Sequence, residues 1–134
     1  MSPRYGTRFA DTGATATLLR ITTTTGSGAA RIVHLNGQVD QDQRLRLESA
    51  LERAVADRPP RLVVDLAGLG FCDSTGLNAL LKTRIAARAA GLPLVLAAPT
   101  SQTRRLLEIT GADEVFTIYD SVRAALADTA AHTE

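Results

Sequence analysis

The chain has 134 residues, 45% of them hydrophobic, and its 15 basic and 14 acidic side chains leave a formal net charge of +1. This length suits one domain, and a sequence with no Trp, two Tyr and three Phe must build an aliphatic core. The near-neutral balance, without a basic run, argues against direct binding to nucleic acid or to an anionic membrane. One cysteine and two histidines argue against a disulfide and a structural zinc site, so we expect no metal and no cofactor.

The N-terminal part of the sequence predicts a leader followed by a β-hairpin. Residues 1–14 are polar and lack both periodicity and the apolar core of a secretory signal, and no later segment is apolar enough for a membrane helix. We therefore expect a flexible leader and a soluble, cytoplasmic protein. The β-branched run Thr15–Thr25, a Gly26–Gly28 turn and a second run, Ala29–Leu35, predict an antiparallel hairpin that Asn36-Gly37 ends.

A first helix and a buried strand are predicted next. After Asp40, apolar residues recur at helical spacing until Pro59-Pro60; they are Leu47, Ala50, Leu51, Ala54 and Val55. The run Leu62–Leu66 is typical of a strand covered on both faces, and Gly68–Gly70 predicts a loop after it.

Three more helices and two more strands are predicted in the second half. The segment Asp73–Gly76 opens a helix whose inward residues are expected to be Leu77, Leu80, Leu81 and Ile85. Leu92–Ala97 predicts a strand. A third helix is expected to have Ser101 as its N-cap, Leu106 and Ile109 inward and Gly111 at its end. Val115–Tyr119 predicts the last strand, and Asp120-Ser121 caps a final helix.

The order β, β, α, β, α, β, α, β, α predicts the fold class. Strands that alternate with helices after a hairpin indicate an α/β fold with a four- to five-stranded, mostly parallel sheet, an N-terminal hairpin and about four helices. Residues 129–134 are expected to be a flexible tail.

Candidate catalytic groups are few. Ser74 lies between a strand and a helix, but its neighbours do not form the Gly-x-Ser-x-Gly turn of hydrolases, and His34, the one plausible base, lies within a strand. Cys72, at the end of an apolar strand, is more typical of a small buried hydrophobe than of a reactive thiol. Asp40 and Asp73 follow strand ends, where they would be helix caps more often than metal ligands. We therefore expect no catalytic residue, and the protein is not expected to be an enzyme.

The remaining feature is a pair of hydroxyls, Ser74 and Thr75, at the start of a helix. Free backbone N–H groups and the positive end of the helix dipole favour a phosphate there, whereas Asp73 and Asp40 would oppose it by charge repulsion. Either hydroxyl could instead be an N-cap. Phosphorylation and simple capping thus both remain open on these grounds.

Several motifs together resemble a known family. The run Leu62–Leu66 followed by Phe71–Leu77, which reads Phe-Cys-Asp-Ser-Thr-Gly-Leu, resembles the signature of bacterial STAS-domain anti-sigma-factor antagonists. Upstream, Leu35–Asp40 is similar to the family's turn into its first helix. Downstream matches lie in the last two helices and last strand, at Arg105-Leu106, Thr110-Gly111, Phe116 and Ala125-Leu126. The resemblance covers about residues 15–127 and implies a STAS domain over residues 15–128.

The resemblance implies a regulatory phosphoprotein that binds other proteins. It makes Ser74 the residue that an anti-sigma factor with serine kinase activity phosphorylates. The unphosphorylated chain would bind that kinase and free a sigma factor, and a PP2C-type phosphatase would restore this form. The family pattern assigns partner binding to Asp40, Asp73, Ser74, Thr75, Gly76 and Asn78, and we expect a monomer or weak dimer.

Two residues depart from the family pattern, and one alternative function stays open. Gln38 stands where the family most often has Glu, and Asn78 replaces a small residue, usually Gly, which puts the identity of the kinase in doubt. The alternative is a STAS-like scaffold subunit of a larger signalling assembly, in which the same surface would mediate oligomerisation.

Overall fold

The computed structural model describes residues 18–128. Within them, the strands are β1 (Arg20–Thr25), β2 (Arg31–Val39), β3 (Leu62–Cys72), β4 (Leu94–Ala97) and β5 (Thr117–Tyr119), and the α-helices are α1 (Arg44–Ala56), α2 (Ser74–Ala89), α3 (Ser101–Thr110) and α4 (Val122–Ala127). The predicted order of elements is confirmed. The predicted leader and tail, and residues 15–17 of the first predicted strand, lie outside the described residues.

The five strands form one sheet in the order β1-β2-β3-β4-β5. β1 is antiparallel to β2, and every later neighbour is parallel. This confirms the predicted mostly parallel sheet with an N-terminal hairpin. Each parallel pair is joined through a helix, as parallel strands require.

Helices cover the two faces of the sheet unequally. Alternate strand residues point to opposite faces, so Leu62 and Val64 join the larger core cluster, which also contains buried side chains of α1, α2 and α3. Val63, between them, belongs to a smaller cluster that includes Ala125 of α4. Among residues 18–128, no helix is long and apolar enough to cross a membrane.

Two strands run further than predicted. β2 continues through Asn36-Gly37 to Val39, and β3 continues through Gly68–Gly70 to Cys72. The predictions of a strand break at the first pair and a loop at the second were wrong. The glycines instead lie where the register between the two strands shifts, and the pairing resumes beyond each irregularity.

Three predicted details of the helices were also wrong. Ile85 and Ile109 are 67% and 73% exposed rather than inward. In α2 the buried face is set largely by small residues, including Gly76, Ala79 and Ala87, which an apolar count underweights. The N-cap of α3 is Thr100 rather than Ser101; its side chain accepts a hydrogen bond from the backbone N–H of Thr103.

A buried arginine holds the last helix. Arg61 is 2% exposed, and its guanidinium donates to the backbone carbonyl oxygens of Ala125 and Asp128 at the end of α4. The carbonyl groups at a helix C-terminus lack hydrogen-bond donors within the helix and carry partial negative charge. A guanidinium there supplies the donors and offsets the charge. Arg61 thereby fixes α4 over the smaller core cluster.

The single cysteine is part of the larger core cluster, as expected of a small hydrophobe. Cys72 is 2% exposed, and burial, followed by the charge of Asp73, raises the pKa of its thiol from 9.0 to about 11. The neutral thiol is therefore the form that the folded chain favours at physiological pH.

Two glycines should respond differently to the same substitution. Gly37 has φ +110°, and an added Cβ would overlap the carbonyl oxygen of Leu18, whereas Gly91 has φ +70° and open space around it. We expect Gly91→Ala to lower the free energy of unfolding by about 1 kcal/mol and Gly37→Ala by about 3 kcal/mol, because only the second adds a backbone clash to the strain. Urea unfolding of both variants measures the difference, and equal losses would contradict it.

The stability of the chain should fall in alkali through Cys72. Since the thiol ionises near 9.0 in an ordinary environment and near 11 in the fold, the folded state holds the extra proton between these values, and stability decreases as pH rises through them. From pH 8.5 to 10.5 the wild type should lose about 1.5–2 kcal/mol more than Cys72→Ala. Urea unfolding of both proteins at each pH measures this. Parallel losses would show that Cys72 is not responsible.

Candidate functional site

Two loops meet where β2 and β3 end. Val39, the last residue of β2, is the register partner of Cys72, the last residue of β3. Asp40 and Asp73 follow directly, so the next residues of two adjacent parallel strands leave the same edge of the sheet. Neighbouring strands lie about 4.8 Å apart, which places the two loops side by side.

Both aspartates are caps of the helical segments that follow them. The Oδ1 atom of Asp73 accepts a hydrogen bond of 2.8 Å from the backbone N–H of Thr75 and begins α2. Asp40 accepts a 3.0 Å bond from the N–H of Asp42 and begins a short 3₁₀ turn, Gln41–Gln43, that leads into α1. The capping role considered for Ser74 or Thr75 therefore belongs to Asp73.

Ser74 is the first residue of α2 and is exposed. Its hydroxyl makes no hydrogen bond with any residue of the range 18–128. It lies at the N-terminus of a 16-residue helix, whose first turn contains no acidic residue. The Ser74 hydroxyl is therefore accessible to react with an electrophile. A negatively charged group attached to it would be stabilised by the N-terminus of the helix.

Thr75 differs sharply from its neighbour. It is only 9% exposed, and its hydroxyl donates a 3.2 Å hydrogen bond to Oε1 of Gln41 in the adjacent loop. The contact ties the start of α2 to the loop after Asp40. Of the two adjacent hydroxyls, only that of Ser74 is presented to solvent.

Gly76 is buried because the first turn of α2 packs closely on the strand ends. An added Cβ would lie 2.6 Å from Sγ of Cys72 and 3.0 Å from Cγ1 of Val39. The absence of a side chain thus lets α2 approach both strands. Among the six residues assigned to partner binding from the resemblance, Asp40, Ser74 and Asn78 are exposed, Asp73 is half-buried, and Thr75 and Gly76 are buried.

Asn78 lies one helical turn after Ser74 and borders a shallow groove between α1 and α2. The groove is lined by Gln41, Arg44, Glu48, Thr75, Asn78, Leu81, Lys82 and Ile85. Its charges are paired: Glu48 accepts from Lys82 at 3.2 Å and from Arg44 at 3.5 Å. Along α2, an exposed stripe follows the helical period from Ser74 through Asn78 to Ile85.

His34 is engaged away from Ser74. Its Nδ1 lies 2.7 Å from Oδ2 of Asp65, and its Nε2 lies 2.8 Å from Oγ1 of Thr24. These three residues lie on β2, β3 and β1, before the strand ends that carry Ser74. The structure therefore gives no support to His34 as a base for the Ser74 hydroxyl.

Two side chains of the site had no signal in the sequence pattern. Gln41 bonds to Thr75, and Gln102 of α3 bonds to the backbone of Cys72 from the other side. Phe71, which precedes Cys72, is 41% exposed beside the same edge. A glutamine on a helix or loop is ordinarily a solvated residue, so only the three-dimensional arrangement reveals these contacts.

Comparison with known proteins identifies the family. A model of the STAS domain matches residues 11–125. The anti-sigma-F factor antagonist RsfB of Mycobacterium tuberculosis is 30% identical over 108 residues, which cover 81% of this chain and 87% of RsfB.

Solved structures agree with this match. The crystal structure of an anti-sigma factor antagonist from Mycobacterium paratuberculosis is 31% identical, with a TM-score of 0.72 over 81% of this chain and 92% of that one. A STAS-domain anti-sigma-factor antagonist from Planctomyces limnophilus shares the fold at 17% identity, with a TM-score of 0.71 over 85% and 98% of the two chains. The chain belongs to the STAS-domain family of anti-sigma-factor antagonists.

Proposed function

We propose that this chain is an anti-sigma-factor antagonist that is switched by phosphorylation of Ser74. In its unphosphorylated form it binds an anti-sigma factor that is a serine kinase, and phosphorylation releases it. A PP2C-type phosphatase returns it to the binding form, so that sigma-factor-dependent transcription in the cytoplasm is regulated. Family membership and the names of the relatives support the antagonist role.

The observation that carries the choice of Ser74 is the contrast between two adjacent hydroxyls. Ser74 is exposed and its hydroxyl is unbonded within the described residues, whereas the Thr75 hydroxyl is buried and bonded to Gln41. A kinase must align the attacking hydroxyl oxygen with the γ-phosphorus of ATP. Ser74 is free to take up that alignment without breaking a hydrogen bond in the fold.

The electrostatics of the site suit a two-state switch. A phosphate on Ser74 adds about −1.5 to −2 charges at pH 7, enough to reverse the formal charge of +1. The N-terminus of α2 favours that charge by about 0.3–1 kcal/mol. Asp73 and Asp40 oppose it by repulsion, and the phosphate makes this acidic edge of the sheet more negative.

The exposed stripe of α2 gives the partner a surface that continues from the phosphorylation site. It places an apolar side chain, Ile85, and an amide, Asn78, on the same helical face as Ser74. A partner that covers this stripe would bury Ser74 near one end of the contact. A new phosphate there would have to lose its water against the partner, which is costly and favours release. Asn78, together with Gln38, would help select the kinase.

Substitution of Ser74 should separate phosphorylation from binding. The kinase for this test is the one that the immobilised, unphosphorylated chain captures from a cell lysate. Ser74→Ala should remove the single phosphate that this kinase and ATP add, while binding to the kinase stays within about twofold, because only an exposed hydroxyl is lost. Ser74→Asp should weaken binding by about 10–100-fold, since a charge is placed in the contact. Intact-mass spectrometry and calorimetry measure the two effects.

Ser101 offers a matched control. Like Ser74, it is exposed and is the first residue of a helix, directly after the N-cap residue. Ser101→Ala and Ser101→Asp should change neither phosphate incorporation nor affinity. A phosphate on Ser101, or undiminished incorporation in Ser74→Ala, would refute the assignment.

Two exposed isoleucines test the proposed docking surface. Ile85 lies on the stripe that contains Ser74, whereas Ile109 lies on α3, and their exposures are similar at 67% and 73%. Ile85→Asp should weaken binding of the kinase by about tenfold or more, because it puts an unpaired charge into the contact. Ile109→Asp should leave affinity within about twofold. Equal effects would show that the stripe is not the contact.

A further inference from the structure

Among residues 18–128, no strand pairs with the last part of β3 on one of its two sides. β3 has 11 residues but β4 has four, and β4 pairs only with Leu62–Asp65. The segment from Leu66 to Cys72 therefore extends beyond β4 toward the phosphorylation site. On its other side it pairs with β2, with shifts in register on the way. This extension has to be fixed by something other than the regular sheet.

Side chains at the start of α3 make the hydrogen bonds to this part of β3 that a neighbouring strand would otherwise make. The hydroxyl of Thr100 donates a 3.2 Å hydrogen bond to the carbonyl oxygen of Leu69. The amide of Gln102 makes two bonds to Cys72: its Oε1 accepts from the backbone N–H at 2.9 Å, and its Nε2 donates to the backbone C=O at 2.8 Å. Gln102 thus makes the paired exchange that a residue of a neighbouring antiparallel strand makes.

The Gln102 contact satisfies both backbone polar groups of a buried residue. Cys72 is 2% exposed, and a buried N–H or C=O without a partner is costly. Because one side chain meets both groups, it sets the orientation of the peptide units around Cys72. The next residue, Asp73, caps α2, and the residue after it is Ser74. The position of the Ser74 backbone, and with it the space that the Ser74 hydroxyl can reach, therefore depends on Gln102, which holds the chain two residues earlier.

From this geometry we propose that Gln102 is a positioning residue for phosphorylation of Ser74. It does not touch the hydroxyl; it holds the strand end from which the cap and the hydroxyl are presented. The inference rests on the proposed function, because it concerns phosphoryl transfer to that site. Loss of the two bonds between Gln102 and Cys72 leaves the exposed stripe of α2 in place but makes the position of the Ser74 hydroxyl oxygen less defined. Misplacement of the attacking oxygen slows phosphoryl transfer more than it weakens docking of the kinase.

The test compares kcat and KM for phosphorylation of Ser74 by the serine kinase captured with this chain. Gln102→Met, which keeps the length and removes both bonds, should lower kcat by about 10–100-fold and leave KM within about threefold. Gln102→Glu keeps the acceptor for the Cys72 N–H but loses the donor, and it should give an intermediate kcat. Gln43→Met is the control and should match the wild type, because within residues 18–128 the Gln43 side chain hydrogen-bonds only to Arg46.

A second measurement needs no kinase. In Gln102→Met, the amide protons of Cys72 and Thr75 should exchange with solvent about tenfold faster or more, while those in the middle of α2 keep their protection. In Gln102→Glu, which keeps the acceptor for the Cys72 N–H, the exchange rates of the same two amides should lie between those of the wild type and Gln102→Met. Should Gln102→Met fail to fold, Gln102→Glu decides alone, because its carboxylate at the start of α3 is favoured by the helix dipole.

The outcomes separate this inference from the proposed function. If the wild type receives its phosphate on Ser74 but both Gln102 variants keep the wild-type kcat, or if the exchange at Cys72 and Thr75 is unchanged, the positioning role is refuted and the proposed function stands. A rise in KM without a change in kcat would also refute it. If the wild type receives no phosphate on Ser74, the proposed function itself fails, whatever the exchange rates show.

Discussion

The position of Ser74 and the two capping aspartates depends on the register in which the parallel strands β2 and β3 end. Val39 and Cys72 are register partners and each is the last residue of its strand, so both chains leave the sheet together and turn into helical segments. The same residue type, Asp, caps both turns. If either strand slipped by one residue against the other, its side chains would exchange faces, and the two caps would no longer lie side by side.

Close packing converts this register into a defined position for α2. Gly76 leaves room for the thiol of Cys72 and the side chain of Val39 beneath the first helical turn. Gln41 fastens that turn from one side through Thr75, while Gln102 fastens the strand before it from the other. The free hydroxyl of Ser74 therefore stands on a rigid base. In the proposed function, the kinase would therefore recognise Ser74 on a folded surface rather than within an unfolded segment.

Much of this arrangement is readable from local sequence. The β-branched runs, the helix stops and the short segment from Asp73 to Gly76 predict the order of elements and the strand-to-helix turn, because each signal acts within a few residues. Gly68 and Gly70 predict a loop, but both lie within β3. Glycine marks backbone irregularity, and from sequence alone a bulge within a strand looks like the end of the strand.

The contacts that a single sequence hides are those between distant residues. Arg61 is buried at the end of α4, and Gln102 is bonded to Cys72, 30 positions away. Both residue types are ordinarily exposed, so composition and periodicity favour the solvent. Ile85 and Ile109 illustrate the reverse error, since apolar residues at helical spacing were expected to face inward. Which face of a helix is covered depends on its neighbours in the fold, and no local pattern specifies them.

The agreement between strand order and chain order bears on how the molecule assembles. Within residues 18–128, every strand after β1 pairs with the one before it in sequence, so each pairing closes only the connection between consecutive strands and the sheet can grow from one end. The segment from Asp40 to Gln102 precedes β5 and α4. During synthesis from the N-terminus, the two capped strand ends and Ser74 can therefore take up their positions before α4 covers the second face. Ile32, Val63 and Val95 share their cluster with Ala125 of α4, so they lack that cover until α4 docks and Arg61 binds its end.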